Sequence, residues 1–394
     1  MTIWTGLVAN CASLSGISNG FPKMAERTVR KVKIGVDRWV FIGYFIKIRL
    51  MMNKLGKAFS LIKSGRFDLV LGRLNEVFWG RNILPVLPHT LMVEPTNLCN
   101  LNCPTCPTGA GKMNRPKRVM SFNEFKRIID EVRGYVKNIA LWNYGEPFLN
   151  SELLLMIRYA TKAGISVKTS TNGEFFKSKG FCREVVRSGL RDLTICLDGA
   201  NQETISKFRR GSNFSEIVQG IRFISEAKRE LGSKTPRIEL QFIVLRYNEH
   251  QRGYMKMLAK ELGADVYCEK TVGLDYNDPQ FQKMAREFLP NDLSLSRYYL
   301  KPDGQFALKG KMRNRCSWVY QCAVINSDGT VVPCCYDLYS EYVMGNVFEE
   351  SLRAIWRNDK YQELRRKIRM GRKSIPMCNI CPEGRYSIFK RRVL

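Results

Sequence analysis

The chain has 394 residues, 44% apolar and 11% aromatic, enough for a sizeable core and too many for a wholly disordered protein. Lys and Arg number 64 against 36 Asp and Glu, a net charge of +28, and only two histidines, His89 and His250, argue against a His-rich zinc site or a His-based triad. At roughly 150 residues per domain the length suits two or three domains, or one large enzyme domain with an appendage.

The first 87 residues carry 14 Lys and Arg against 4 Asp and Glu. Residues Met1–Pro22 are rich in Ser, Gly and Asn and show no secretory signal. From Arg38 to Phe78 apolar residues recur at helical spacing among basic ones, which predicts two basic amphipathic helices. They either pack on the main domain with a solvated basic face or dock on anionic lipid or an acidic partner. The most apolar stretch, Trp39–Met52, contains Lys47 and Arg49 and is shorter than the roughly 20 residues a bilayer needs. A cytoplasmic protein is expected, with at most a peripheral contact at the inner membrane face.

From Leu91 to Lys270 apolar runs alternate with helical patterns. Strands are predicted at Thr90–Glu94, Asn138–Tyr144, Ser166–Ser170, Leu193–Asp198, Ile238–Leu245 and Asp265–Glu269. Helices are predicted at Ser121–Val136, Ser151–Ala163, Gly180–Gly189, Phe214–Leu231 and Glu249–Leu262. This alternation gives parallel βα units, in an open sheet or a partial barrel, with ligands gathered at the carboxyl ends of the strands. Thr271–Arg315 has little periodicity and reads as a connector.

Thirteen cysteines, mostly clustered, read as metal ligands before disulfides. Cys99, Cys103 and Cys106 follow the first strand within eight residues, without a fourth ligand nearby. Three thiolates round one centre leave a coordination position open, as a catalytic metal requires. A zinc knuckle completed from a distance is the competing reading. Towards the C-terminus, apolar runs flank Asp328-Gly329, a hairpin signal that would bring Cys316 to Cys334. Cys378 and Cys381 have a chelating spacing, with a zinc ribbon as the alternative.

The Cys-x3-Cys-x2-Cys spacing resembles that of the radical S-adenosylmethionine (radical SAM) superfamily, with Thr105 where an aromatic residue is usual. The resemblance implies a [4Fe–4S] cluster on Cys99, Cys103 and Cys106. S-adenosylmethionine bound to it would be cleaved to a 5′-deoxyadenosyl radical that abstracts hydrogen from substrate. Gly145-Glu146-Pro147, where Tyr144 replaces a usual Gly, resembles the motif that takes the methionine ammonium. Ser170-Thr171-Asn172 matches the ribose or carboxylate contact, and Asp198 with Arg210 matches the continuation of the fourth strand. Cys196 reads as a buried hydrophobe. The fold implied is a partial (βα)6 TIM-like barrel.

The C-terminal region resembles the SPASM/Twitch extension, implying an auxiliary [4Fe–4S] cluster. No cysteine follows Cys381, so one cluster is expected, held by Cys316, Cys334, Cys378 and Cys381, with Cys322 and Cys335 as alternates. The domains expected are a basic helical extension at 1–87, a radical SAM core at 88–285, a connector at 286–315 and the auxiliary domain at 316–394. Dispersed basic residues without a recognition motif argue against nucleic acid. An acidic one-electron donor, flavodoxin or ferredoxin, fits the charge better. The expected reaction is a two-electron oxidation of substrate with the auxiliary cluster as electron acceptor and Asp337 as a candidate base. A peptide or protein maturase is the alternative.

Overall fold

A computed structural model describes residues 87–379, 381 and 390–393. The predicted N-terminal helices lie outside these residues. The chain enters on β1 (Thr90–Val93), buried at every position but the first. Helix α1 (Phe122–Val132) starts where Ser121 and Glu124 close a reciprocal capping box. It stops short of the predicted Val136, and Gly134 just beyond is a poor helix former. Then follow β2 (Asn138–Ala140), α2 (Leu153–Lys162), β3 (Ser166–Thr171), α3 (Lys179–Arg187) and β4 (Asp192–Cys196). A short α4 (Gln202–Phe208) precedes α5 (Phe214–Glu230), β5 (Arg237–Val244), α6 (Arg252–Glu261) and β6 (Val266–Thr271).

Strands β1 to β6 pair in parallel in chain order. Alternation assigns their two faces. On β3, Val167, Thr169 and Thr171 are buried, and Val167 packs into the main apolar cluster with Ile129, Ile157 and Val185 of the helices. Lys168 and Ser170 take the opposite, concave face, where Lys168 lies over the Trp142 ring. This is the α/β partial barrel expected of the sequence. One predicted strand is too long: β2 ends at Ala140, Leu141 still donates its amide to the Lys168 carbonyl at 2.8 Å, and residues 142–144 line the barrel mouth.

The predicted connector is not a loose link. It forms α7 (Phe281–Phe288) and a hairpin of β7 (Tyr298–Leu300) and β8 (Phe306–Leu308). Phe281, Phe288, Tyr298 and Phe306 build a second apolar cluster against Phe208 and Leu245 of the barrel. Three-residue strands are too short for a periodicity to register, which is why the pattern is invisible in the sequence.

The Cys-rich segment shares the barrel's sheet. Strand β9 (Cys322–Ile325) pairs in parallel with β1, Thr90 opposite Cys322. Strand β10 (Thr330–Val332) returns antiparallel through Asp328-Gly329, and β11 (Gly345–Asn346) follows. Gly329 has φ +81°, and a Cβ there would lie 2.4 Å from Asn346 Oδ1, so the hairpin tip requires glycine. Helices α8 (Leu352–Arg357), α9 (Asp359–Gly371) and α10 (Pro376–Asn379) lead to β12 (Lys390–Val393), antiparallel to β6. The result is one ten-stranded sheet. Among the described residues no helix is long and apolar enough to cross a membrane.

Candidate active site

The loop after β1 is fastened by Glu94, which is fully buried. Its carboxylate accepts both Arg115 Nη groups at 2.8 Å, the Tyr144 amide at 3.2 Å, and the amide and hydroxyl of Ser327 at 3.2 and 3.1 Å. One side chain thus ties together the cysteine loop, the end of the β2 segment and the β9–β10 hairpin.

Within that loop Cys99, Cys103 and Cys106 are half-buried and line one cavity of about 350 Å³. A hydrogen-bonded turn joins the last two, with the Cys106 amide donating to the Cys103 carbonyl at 3.2 Å. The chain is pressed so close that a Cβ on Gly109 would lie 2.5 Å from the Cys103 nitrogen. Burial pushes the Cys103 thiol up to about 12 and also raises Cys99. Loading a metal on such thiols is therefore coupled to proton release.

The Gly-Glu-Pro turn abuts the same loop. Gly145 has φ +117°, and a Cβ there would meet the Thr96 carbonyl at 2.3 Å. No other residue fits this approach, which the Glu146 amide seals by donating to the Leu98 carbonyl at 2.7 Å. The Glu146 carboxylate accepts Thr171 Oγ1 at 2.8 Å and the amides of Asn172 and Phe148 at 2.7 and 3.1 Å. Burial nevertheless raises its pKa to about 7. Ser170, Thr171 and Asn172 line the cavity with Gly145 and Glu146, and Asn172 Nδ2 donates to Asn100 Oδ1 at 2.8 Å. Pro147 opens the 3-10 turn Pro147–Leu149 behind them.

Four expected site residues, Pro147, Asp198, Arg210 and Asp337, lie outside the cavity lining. Arg209, not Arg210, lines the cavity. It ends α4, and its Nε donates at 2.7 Å to Asp198, whose other oxygen receives the Ile243 amide at 2.6 Å. Asp198 is therefore an anchor for Arg209 behind the wall, outside the cavity lining. Asp337 is absent from the lining too. Its carboxylate accepts the amides of Glu341 and Tyr342 at 2.8 and 2.9 Å and holds a turn. The acidic groups that do line the cavity are Glu146 and Asp275. Sequence reasoning missed Asp275 and Arg209. The Arg209-Arg210 pair was the only signal for the latter, and which of two adjacent side chains faces inward depends on the cap of α4. Cys196 also lines the cavity, its Sγ receiving Gln241 Nε2 at 3.3 Å.

The second group of cysteines gathers at the hairpin and the C-terminal helices. Cys316 precedes a helical turn, Cys334 follows β10, Cys378 sits on α10, and Cys381 follows it. The thiol of Cys378 interacts electrostatically with Cys316 and Cys334, and Arg372 with Cys381, Cys316 and Cys378. These four expected ligands thus share one neighbourhood. Of the alternates, Cys322 is buried within β9, while Cys335 adjoins Cys334 and its carbonyl accepts Tyr144 Oη at 2.7 Å. Among the described residues no three His, Cys, Asp or Glu side chains close on one ion. A cubane distributes its thiolates over separate irons, so open thiol arrays of this kind suit it.

Comparison with known proteins gives the class. Residues 93–236 match the radical SAM superfamily, and residues 316–382 match the SPASM iron–sulfur cluster-binding domain. An AdoMet-dependent heme synthase of Methanosarcina barkeri is 27% identical over 75% of this chain and 88% of its own. Mycofactocin maturase MftC of Mycolicibacterium smegmatis is 26% identical over 71% and 72%. In fold, Streptococcus suis SuiB bound to S-adenosylmethionine aligns with a TM-score of 0.57 at 17% identity, covering 87% of this chain and 84% of that one. AnSMEcpe with bound AdoMet aligns at 0.52 and 16%, covering 76% and 87%. The chain belongs to the radical SAM enzymes that carry a C-terminal SPASM/Twitch-type domain. Its cofactors are S-adenosylmethionine and iron–sulfur clusters at two sites.

Proposed function

We propose that this enzyme is a maturase that oxidises a carbon of a peptide or protein substrate. The observation that carries this reading is the match to mycofactocin maturase across 71% of the chain. It weighs towards the peptide or protein substrate that the sequence left as the alternative. When bound, the clusters supply the electron that cleaves S-adenosylmethionine and a place for the electron the substrate must lose. The residues do the rest. Cys99, Cys103 and Cys106 hold one cluster, and Cys316, Cys334, Cys378 and Cys381 the other. Glu146 accepts the methionine ammonium, which its ionised form alone can pair with. Asn172, steadied by Asn100, and Arg209, steadied by Asp198, fix the remainder of the cofactor against the cavity wall. Substrate carbon loses a hydrogen atom, then an electron and a proton, and Asp275 of the cavity lining takes the proton. An acidic flavodoxin or ferredoxin delivers the reducing electron to a chain whose net charge is +28.

A second reading, oxidation of a non-peptide substrate, is favoured by the match to the heme synthase over 75% of the chain. The test is anaerobic incubation of reconstituted enzyme with short peptides encoded beside its gene, deuterated at Cα and Cβ. Deuterium in 5′-deoxyadenosine and a peptide lighter by two hydrogens are expected. Transfer from deuterated porphyrin alone would support the second reading instead.

A further inference from the structure

A buried cation stands among the auxiliary cysteines. Arg372 opens the helical turn Arg372–Ser374 between α9 and α10 and is 1% exposed. One Nη donates to Cys381 Sγ at 3.1 Å and the other to the Arg315 carbonyl at 2.6 Å. Its amide donates to Asn314 Oδ1 at 3.1 Å. The guanidinium charge is felt at Cys316, Cys334 and Cys378 as well. Desolvating a guanidinium is costly, and an apolar side chain would fill the same space more cheaply. The position therefore has a use for charge.

We propose that Arg372 raises the reduction potential of the auxiliary cluster, so that this cluster is poised to accept an electron. The inference rests on the reading of Cys316, Cys334, Cys378 and Cys381 as its ligands. Four thiolates give the centre a net negative charge, and reduction makes it more negative by one. A fixed positive charge and an N–H···S bond both stabilise the reduced form more than the oxidised one. Exclusion of water strengthens the effect, because little solvent screens the charge. The planar fork matters too: it binds sulfur and the Arg315 carbonyl at once, which an ammonium group does poorly. In balance, the substrate radical gives one electron to the cluster and one proton to a base. The cluster then returns its electron to a one-electron carrier protein.

The experiment uses the full chain in a Cys99→Ala, Cys103→Ala, Cys106→Ala background, where the auxiliary cluster is the remaining iron site. Arg372 is compared with R372K and R372Q by redox titration followed by electron paramagnetic resonance, alongside iron analysis. R372Q should keep its iron and show a lower midpoint. At the wild-type midpoint its oxidised-to-reduced ratio should shift at least tenfold, which is about 59 mV for one electron. R372K, with its charge but not its fork, should fall between. An unchanged midpoint in an iron-replete R372Q overturns the inference. If R372Q does not load, R372K decides, and a midpoint equal to that of arginine overturns it. A background protein without iron overturns the ligand reading and this inference with it, and iron analysis separates that failure from the others.

Discussion

Replacing Glu94 with Ala tests whether one buried carboxylate assembles the site. In the native chain the Glu94 side chain is 0% exposed and that of Arg115 8%. The substitution leaves the guanidinium without its bidentate partner and removes the acceptor of the Tyr144 amide, the Ser327 amide and the Ser327 hydroxyl. Breaking a buried pair from one side costs about 3–5 kcal/mol, because the remaining charge stays desolvated. That is a large share of the roughly 5–15 kcal/mol that a domain commands. Urea unfolding of the apo protein, read by circular dichroism, should show a lower midpoint, and the Glu94→Ala, Arg115→Ala double variant should recover part of the loss. Iron content after anaerobic reconstitution should fall also, because the same carboxylate holds the cysteine loop. A loss below about 1 kcal/mol would place the pair among ordinary surface bridges and refute the reasoning. So would a double variant as unstable as the sum of the single ones.

Further outcomes follow from the site. The Cys99→Ala, Cys103→Ala, Cys106→Ala variant should retain about half of the roughly eight irons expected for two clusters and lose all cleavage of S-adenosylmethionine, by iron assay and chromatography. Because burial holds the Glu146 pKa at about 7, cofactor affinity should fall as pH drops through that value, while Glu146→Gln should bind weakly and flatly across it, by equilibrium dialysis. The folded chain binds the Glu146 proton more tightly than the unfolded one, so this group's contribution to apo stability should decline as pH rises from 4.5 to about 7, and not in Glu146→Gln. Asp275→Asn should lower product formation by about 100-fold with cofactor cleavage retained, whereas Asp337→Asn should leave turnover intact and lower the melting temperature. Arg209→Ala should weaken cofactor binding markedly and Arg210→Ala little, in the same dialysis assay.

Much of this protein is written in short-range signals. The x3 and x2 spacing of Cys99, Cys103 and Cys106 is set by what one loop can wrap, so it survives as a pattern in the chain. The six parallel strands are legible because buried strands read as apolar runs, with β1 and β3 to β6 starting and ending within two residues of their expected limits. Glycine adds to this: at Gly145 the turn tolerates no side chain, so the residue marks the close approach before any fold is known. What the sequence could not decide is everything set by contacts between distant segments. Glu94 lies 233 positions from Ser327, and nothing near either residue announces the bond between them. Whether Arg209 or Arg210 faces the cavity depends on the rotation at the end of α4. Asp337 has the composition of a base, yet the backbone it meets makes it a turn anchor. The placement of Arg372 against Cys381 depends on how α9, α10 and the hairpin pack together. Local pattern carries the ligands and the strands, because their chemistry is local. Burial, charge balance and the direction of a side chain belong to the packed structure, because each is a property of neighbours that the chain brings together only on folding.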